Sequence, residues 1–180
     1  MDRYIIPEYV TKDDIKRVRE SLSMTQKEFA DFANCSKRTV ERWETEDGKI
    51  TGPIVTLVDM LARNKSMVEA VTVPKDRYKL RLFYMYYNTV CAIIDVDETE
   101  RKVKVTNYTN SVMNRPFGSN TEPSFEDYEE FLESRCFPKT RDMIKFELKK
   151  LDIPFYDPLM IIEKTEGRMA DDHFWIKVDK

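Results

Sequence analysis

At 180 residues, the chain can hold one ordinary domain, or a small domain of about 65 residues followed by one of about 100. With 41% hydrophobic and 35% charged residues, its composition is that of a soluble globular protein, and it has no apolar run of about 18 residues that could span a membrane. The N-terminus carries early acids and a proline and lacks the basic start and apolar core of a secretory signal, so we expect a cytoplasmic protein.

The formal net charge of −3 argues only weakly against nucleic-acid binding. Residues 1–65 contain 12 Lys and Arg against 12 Asp and Glu, so the acidic excess lies after this segment. A small DNA-binding domain needs only a local basic cluster to meet phosphates, and Lys37, Arg38 and Arg42 provide one.

The N-terminal segment contains start signals for four helices. Thr11 precedes two acids that favour the positive end of a helix dipole, and Thr25 with Glu28 forms a Thr-x-x-Glu capping box. Ser36 can cap a third helix, and Pro53 suits the first turn of a fourth. We therefore predict helices that begin directly after these residues.

Apolar residues recur at helical spacing within these four segments and can share one core. They are Ile15, Val18 and Leu22; Phe29, Ala30 and Ala33; Val40 and Trp43; and Ile54, Leu57, Val58 and Leu61. Only three residues, 33–35, separate the second helix from the third, and Asn34 stands where a left-handed backbone is needed. This spacing predicts a helix-turn-helix between Met24 and Glu44.

Over about residues 11–63, this segment resembles the Xre/Cro-type helix-turn-helix of bacterial and phage repressors. The matching residues are the first helix end at 18–22, Thr25-Gln26, Glu28-Phe29-Ala30, residues 36–44 and Gly52-Pro53. The family usually has glycine where Asn34 stands and an aliphatic residue where Cys35 stands, and both replacements are physically mild. The resemblance implies a structural ion pair between Arg19 and Glu44.

The third helix, 36–46, is the segment that we expect to read the major groove, because only its N-terminal part approaches base edges there. Lys37 and Arg38 occupy that position and can bond to guanine N7 and O6. Arg42, one turn further, can reach a base or a flanking phosphate. The other predicted contacts are Ser36 at the helix start, Thr39 to a thymine methyl or a phosphate, and Gln26 to a phosphate.

Two of these assignments have alternatives. The basic residues alone could be a solvated helix face, but their agreement with the caps, the core and the turn favours DNA reading. Glu41 can accept a hydrogen bond from cytosine N4, or it can pair with Lys37 or Arg38 and set their rotamers. We favour pairing.

Beyond Arg63 the chain changes from helical to strand patterns, which predicts a second domain. Residues 64–76 show no helical stripe and predict a linker, with a short strand as the alternative. Three strands of an antiparallel meander follow, at 79–87, 90–95 and 102–106. A helix is predicted after Ser124, with Tyr128, Phe131 and Leu132 facing inward. A second is predicted at 139–151 after Pro138, with Met143, Ile144, Phe146 and Leu148 mostly buried. A third helix is predicted to begin at Pro158, and a last strand to follow at 173–178.

The predicted fold is therefore multi-domain. It combines an all-α Xre-type domain of four to five helices at 1–65, a linker at 66–76 and a small α+β domain with an antiparallel sheet at 77–180. The second domain is similar to the N-terminal subdomain of HipA-type kinases, HipS-like, in its element order and in Phe131-Leu132, Asp157-Pro158 and Gly167. This resemblance implies a HipA-like kinase as partner and an antitoxin-like role.

Neither an enzyme nor a metal or cofactor site is predicted. His173 is the sole histidine, and its acidic neighbours on an extended segment point to opposite sides. The three cysteines are widely spaced and odd in number, so we expect buried reduced thiols. No phosphate-binding loop, Gly-x-Ser-x-Gly motif or Ser/His/Asp set is present.

The main functional prediction is a sequence-specific transcriptional repressor that binds double-stranded DNA. One domain of this size reads a half-site too small for useful selectivity, so we expect a homodimer on an inverted-repeat operator. The alternatives are an antitoxin-like protein that neutralises a HipA-type kinase and autoregulates its operon, and a regulator that responds to a small molecule.

Overall fold

The computed structural model describes residues 4–180. They form two compact units, and the boundary between the units along the sequence lies between Thr72 and Val73. The predicted linker, 66–76, spans this boundary. Within the described residues, no helix is long and apolar enough to cross a membrane.

The first unit is built from five helices, α1 (Lys12–Ser21), α2 (Gln26–Phe32), α3 (Lys37–Thr45), α4 (Pro53–Arg63) and α5 (Ser66–Glu69). The first three begin at the predicted caps, because the side chains of Thr11, Thr25 and Ser36 each accept a hydrogen bond from the backbone N–H three residues further on. Before α4, Gly52 has a φ of 97°, which residues with a Cβ atom rarely adopt, and Pro53 takes the first helical position as predicted.

One hydrophobic core joins α1 to α4. Ile15, Phe29 and Val40, one from each of the first three helices, are completely buried. The turn between α2 and α3 has Asn34 in the left-handed region, with a φ of 51°, which confirms the sequence-based expectation. The turn thus lets two short helices pack against the same core.

The short strand considered for the linker is absent from the part of the chain that the structure describes. Residues 66–69 instead form the single helical turn α5, whose start is fixed by Asn64. The Asn64 side-chain oxygen accepts hydrogen bonds from the backbone N–H and the hydroxyl of Ser66, at 3.1 and 2.7 Å. These local hydrogen bonds stabilise the start of the helical turn.

The second unit contains an antiparallel sheet of four strands and three α-helices. The strands are β1 (Leu80–Tyr86), β2 (Thr89–Asp97), β3 (Lys102–Asn107) and β4 (Phe174–Asp179), and the helices are α6 (Phe125–Ser134), α7 (Ile144–Lys150) and α8 (Pro158–Thr165). The strand order is β3-β2-β1-β4, so β1 lies inside the sheet, between β2 and β4. The helices pack on the sheet through one hydrophobic core. It contains strand residues such as Leu82 and Ile94 and helix residues such as Leu132 and Ile162.

The prediction of a long helix at 139–151 was wrong. The helix α7 begins only at Ile144, because residues 138–144 form successive turns and Met143 adopts a left-handed φ of 59°. Met143 and Phe146 are consequently exposed, and Leu148 alone of the predicted apolar residues is fully buried. In contrast, α6 begins directly after Ser124 and α8 begins at Pro158, as predicted, and the side chains of Ser124 and Asp157 cap the two helices.

A buried ion pair crosses the sheet between β1 and β2. Arg81 and Asp95 are directly paired in the strand register, and Arg81 Nε lies 2.7 Å from Asp95 Oδ1. The same guanidinium donates to the backbone carbonyls of Pro74 and Asp76, at 3.0 and 3.2 Å. The pair therefore fixes the segment before β1 to the sheet.

Candidate nucleic-acid interface

The N-terminal part of α3 presents most of the predicted DNA contacts to solvent. Ser36, Lys37, Arg38 and Arg42 are exposed, whereas Thr39 is half-buried. Ser36 Oγ accepts the backbone N–H of Thr39 at 3.1 Å, and the two hydroxyl oxygens lie 2.8 Å apart. These hydroxyls thus build the helix start that presents the basic side chains.

Arg38 and Arg42 lie on the same face of α3, one helical turn apart. Among the residues that the structure describes, neither guanidinium forms a hydrogen bond or an ion pair. An arginine offers five N–H donors in a planar fork that matches guanine or a phosphate. Both side chains can therefore make such contacts without breaking a protein interaction.

Lys37 and Glu41 form an ion pair one turn apart, with Lys37 Nζ 3.0 Å from Glu41 Oε1. About half of each side chain is exposed, so the pair is worth only about 0.2–0.5 kcal/mol. This geometry corresponds to the pairing that we favoured for Glu41. Lys37 can exchange this weak partner for a phosphate at little cost.

A second, largely buried ion pair, Arg19–Glu44, holds the C-terminal part of the same helix against α1, and we call it the brace. Arg19 of α1 donates to both carboxylate oxygens of Glu44 in α3, at 2.6 and 3.0 Å. Arg19 Nη1 also donates to the carbonyl of Met24, 2.8 Å away. Only 12% of the Arg19 side chain and 5% of the Glu44 side chain are exposed. These are the residues for which the family resemblance implies a structural pair.

Gln26, predicted as a phosphate contact, is part of this brace. Its Nε2 donates to Glu44 Oε2 at 2.9 Å, which commits one of its two amide hydrogens. A phosphate contact by Gln26 would have to use the other hydrogen. The Gln26–Glu44 hydrogen bond was not predictable from the sequence, since periodicity carries no signal for a contact between residues 18 apart.

The brace also shifts the ionisation of its members. Burial alone would raise the pKa of Glu44, but hydrogen bonds from Arg19 and Gln26 and the positive charge of Arg19 outweigh burial and lower this pKa below its ordinary value. The hydrogen bond to Glu44 in turn raises the pKa of Arg19. The folded first unit therefore favours the charged pair.

We expect the stability that Glu44 contributes to depend on pH. Because its pKa is lower in the folded than in the unfolded state, its contribution is fully present above the unfolded-state pKa of about 4.3 and is lost as the pH falls through the folded-state value. Glu44→Gln mimics the protonated form. Denaturant unfolding should show wild type more stable than this variant by about 2 kcal/mol near neutral pH, with the difference shrinking as the pH falls below the unfolded-state pKa. A difference that stays constant with pH would contradict this assignment.

Outside this helix, the described residues contain no cluster of His, Cys, Asp and Glu that could hold a metal ion. The His173 ring stacks on Tyr87, with ring centroids 4.3 Å apart. All three cysteines are free; Cys91 and Cys136 are buried as expected, and Cys35 is only half-buried.

Comparison with known families identifies the N-terminal segment. Residues 15–58 match the sequence model of the helix-turn-helix family, which confirms the Xre-type resemblance there and supports a DNA-binding transcription regulator. Comparisons with curated proteins and with solved structures gave no match. The resemblance of the second unit to HipA-type kinases, and the kinase partner that it implies, stay predictions.

Proposed function

We propose that this chain, in which residues 15–58 are a helix-turn-helix domain, is a sequence-specific transcriptional repressor that reads the DNA major groove with residues 36–46. The observation that carries the proposal is the pair Arg38 and Arg42, exposed on one face of a helix whose other side is fixed by Val40 in the core and Glu44 in the brace. A rigidly held helix with unengaged guanidinium groups favours specific base contacts over loose charge attraction.

The zero net charge of residues 1–65 supports sequence-specific rather than non-specific DNA binding. Twelve cations and twelve anions provide no broad attraction for phosphates, so affinity has to come from a few well-placed groups. Such a domain gains enough affinity by binding two half-sites at once. We therefore infer a homodimer in which the second unit holds two chains together or binds a partner protein.

We expect the full chain to bind the DNA upstream of its own gene as two chains on one inverted repeat. The half-site centres should lie about one helical turn, roughly 34 Å, apart. At fixed salt, fluorescence anisotropy should give at least roughly a 10³-fold preference over scrambled DNA of the same composition. Mass photometry of the complex gives the stoichiometry, and a reporter gene placed behind this DNA should lose expression when the protein is supplied.

Inserting five base pairs between the half-sites serves as the control, because it rotates them to opposite sides of the duplex without changing their sequence. The affinity should then fall to that of a single half-site. Equal binding to original and scrambled DNA would contradict sequence specificity. One chain per operator would contradict the homodimer, and increased reporter expression would contradict repression.

A further inference from the structure

The second unit contains a cavity of about 410 Å³ between the β2–β3 turn, α6 and the start of α8. Carboxylates dominate its polar lining, with Glu98, Glu129, Glu133 and Asp157 against the single cation Lys139. Its volume lies within the range of small-molecule sites.

Two of the four carboxylates already have partners. Glu133 pairs with Lys139 at 2.5 Å, and Glu129 lies 3.3 Å from the guanidinium of Arg101. Glu98 makes neither a hydrogen bond nor a direct ion pair within the described part of the chain. One oxygen of Asp157 accepts the first-turn N–H of α8, which leaves its second oxygen. Glu98 and Asp157 therefore keep carboxylate oxygens without a direct partner, and the ammonium of Lys180 compensates their charge only by a longer-range interaction.

A buried hydroxyl in the cavity wall points to a ligand. Tyr128 is 2% exposed, and its Oη has no hydrogen-bond partner among the residues that the structure describes. Buried polar atoms in native proteins almost always have a partner, so an unsatisfied one requires an explanation. Burial raises the pKa of Tyr128, and Glu98, Asp157 and Glu129 raise it further, so the hydroxyl lies within electrostatic reach of three carboxylates of the same cavity.

The surroundings of the cavity already attract cations. The guanidinium of Arg101 lies 4.2 Å from the ring centroid of Phe125, a wall residue, and pairs with Glu126 at 2.8 Å. The ammonium of Lys180, held by Glu163, has its pKa raised first by Glu163 and then by Glu98 and Asp157. Apolar wall residues such as Leu132 and Leu159 can pack against an aliphatic stem between charged groups.

We propose that this cavity binds a small organic cation, an aliphatic amine or guanidine, with its charged group between Glu98 and Asp157 and one N–H donated to the Tyr128 hydroxyl. An organic cation fits better than a metal ion, since the described residues hold no metal-ligand cluster and the cavity combines carboxylates with apolar walls. This inference does not depend on DNA binding, because all of its residues lie in the second unit.

The probe is 1,4-diaminobutane, titrated calorimetrically into the full chain, with 1,4-butanediol as its neutral analogue. We expect the diamine to bind and the diol to bind at least tenfold more weakly. Tyr128→Phe should lower the diamine affinity about tenfold because the hydrogen bond to the hydroxyl is removed, and Glu98→Gln should lower it at least as much because a negative charge is removed. Glu130→Gln, an exposed position on α6 outside the cavity, should leave it unchanged.

The thermal unfolding midpoint of each variant serves as the control for correct folding. Tyr128→Phe removes only a hydroxyl without a protein partner, so its midpoint should equal or exceed that of wild type. Equal binding of diamine and diol, or unchanged affinity in both cavity variants, would overturn the proposal. An acetylated, amidated lysine tripeptide that binds at least tenfold more tightly than the diamine would also overturn it, by showing that the cavity takes a partner protein's side chain.

Discussion

Replacing Arg38 and Arg42 together by alanine should lower the affinity of the full chain for its operator at least roughly 30-fold, because each good arginine contact to guanine contributes about 1–3 kcal/mol of discrimination. Both side chains are exposed and lie away from the core, so the fold should be unaffected. Fluorescence anisotropy on operator and scrambled DNA, at several salt concentrations, measures the change.

The salt dependence distinguishes base recognition from phosphate binding. If Arg38 bonds to a base, its replacement lowers the preference for the operator. If Arg42 bonds to a phosphate, its replacement weakens binding to all sequences and reduces the salt slope by about one. The matched control is Arg141→Ala with Arg168→Ala, which removes the same charge from the second unit. An equal loss of affinity in both double variants would show that only net charge matters and would contradict base reading by α3.

Replacing Arg19 by alanine should lower the unfolding free energy of the first unit by about 3 kcal/mol. The change leaves the Glu44 carboxylate buried without its charged partner, and it removes the donor to the Met24 carbonyl. Because whole domains have unfolding free energies of only about 5–15 kcal/mol, the first unit would lose a large part of its stability. Denaturant unfolding of the full chain, followed through Trp43 beside the core of the first unit, measures the loss.

The control for this variant is Arg17→Ala on the same helix. Arg17 pairs with Asp14, but 74% of its side chain is exposed, so its removal should change the unfolding free energy by no more than about 0.5 kcal/mol. The brace would be refuted if Arg17→Ala and Arg19→Ala were equally stable. Under conditions where it stays folded, Arg19→Ala should keep operator specificity, since Arg19 lies outside the exposed face of Arg38 and Arg42.

Helix starts and turns in the first unit could be predicted from the sequence because their determinants are local. Thr11, Thr25 and Ser36 bond to backbone groups three residues away, and Asn34 sets the turn by its own φ angle. Such interactions leave a signature within a few neighbouring positions. The exposed basic face of α3 followed from the same helical spacing.

Long-range contacts between charged residues were not predictable in the same way. Arg81 and Asp95 alternate with apolar residues as exposed strand positions do, yet both are buried because they face each other across two paired strands. Likewise, Glu98, Tyr128 and Asp157 share a cavity only because α6 and α8 pack on the sheet. For α7 the prediction from a local pattern was wrong. Pro138 indicated a helix start, but Met143 adopts a left-handed conformation and the helix begins only at Ile144.

The strand order has a consequence for how the protein forms during synthesis. In the first unit, α2 contacts α3, and α1 contacts α3 and α4, so the packed helices all lie within about 50 residues of one another, and contacts over short sequence separations favour rapid folding. In the second unit, Arg81 of β1 pairs with Asp179, 98 residues further along the sequence, so one side of β1 has no partner until β4 leaves the ribosome. Until then its unpaired edge can pair with other chains, and a nascent or truncated chain that lacks β4 is the form most prone to aggregate.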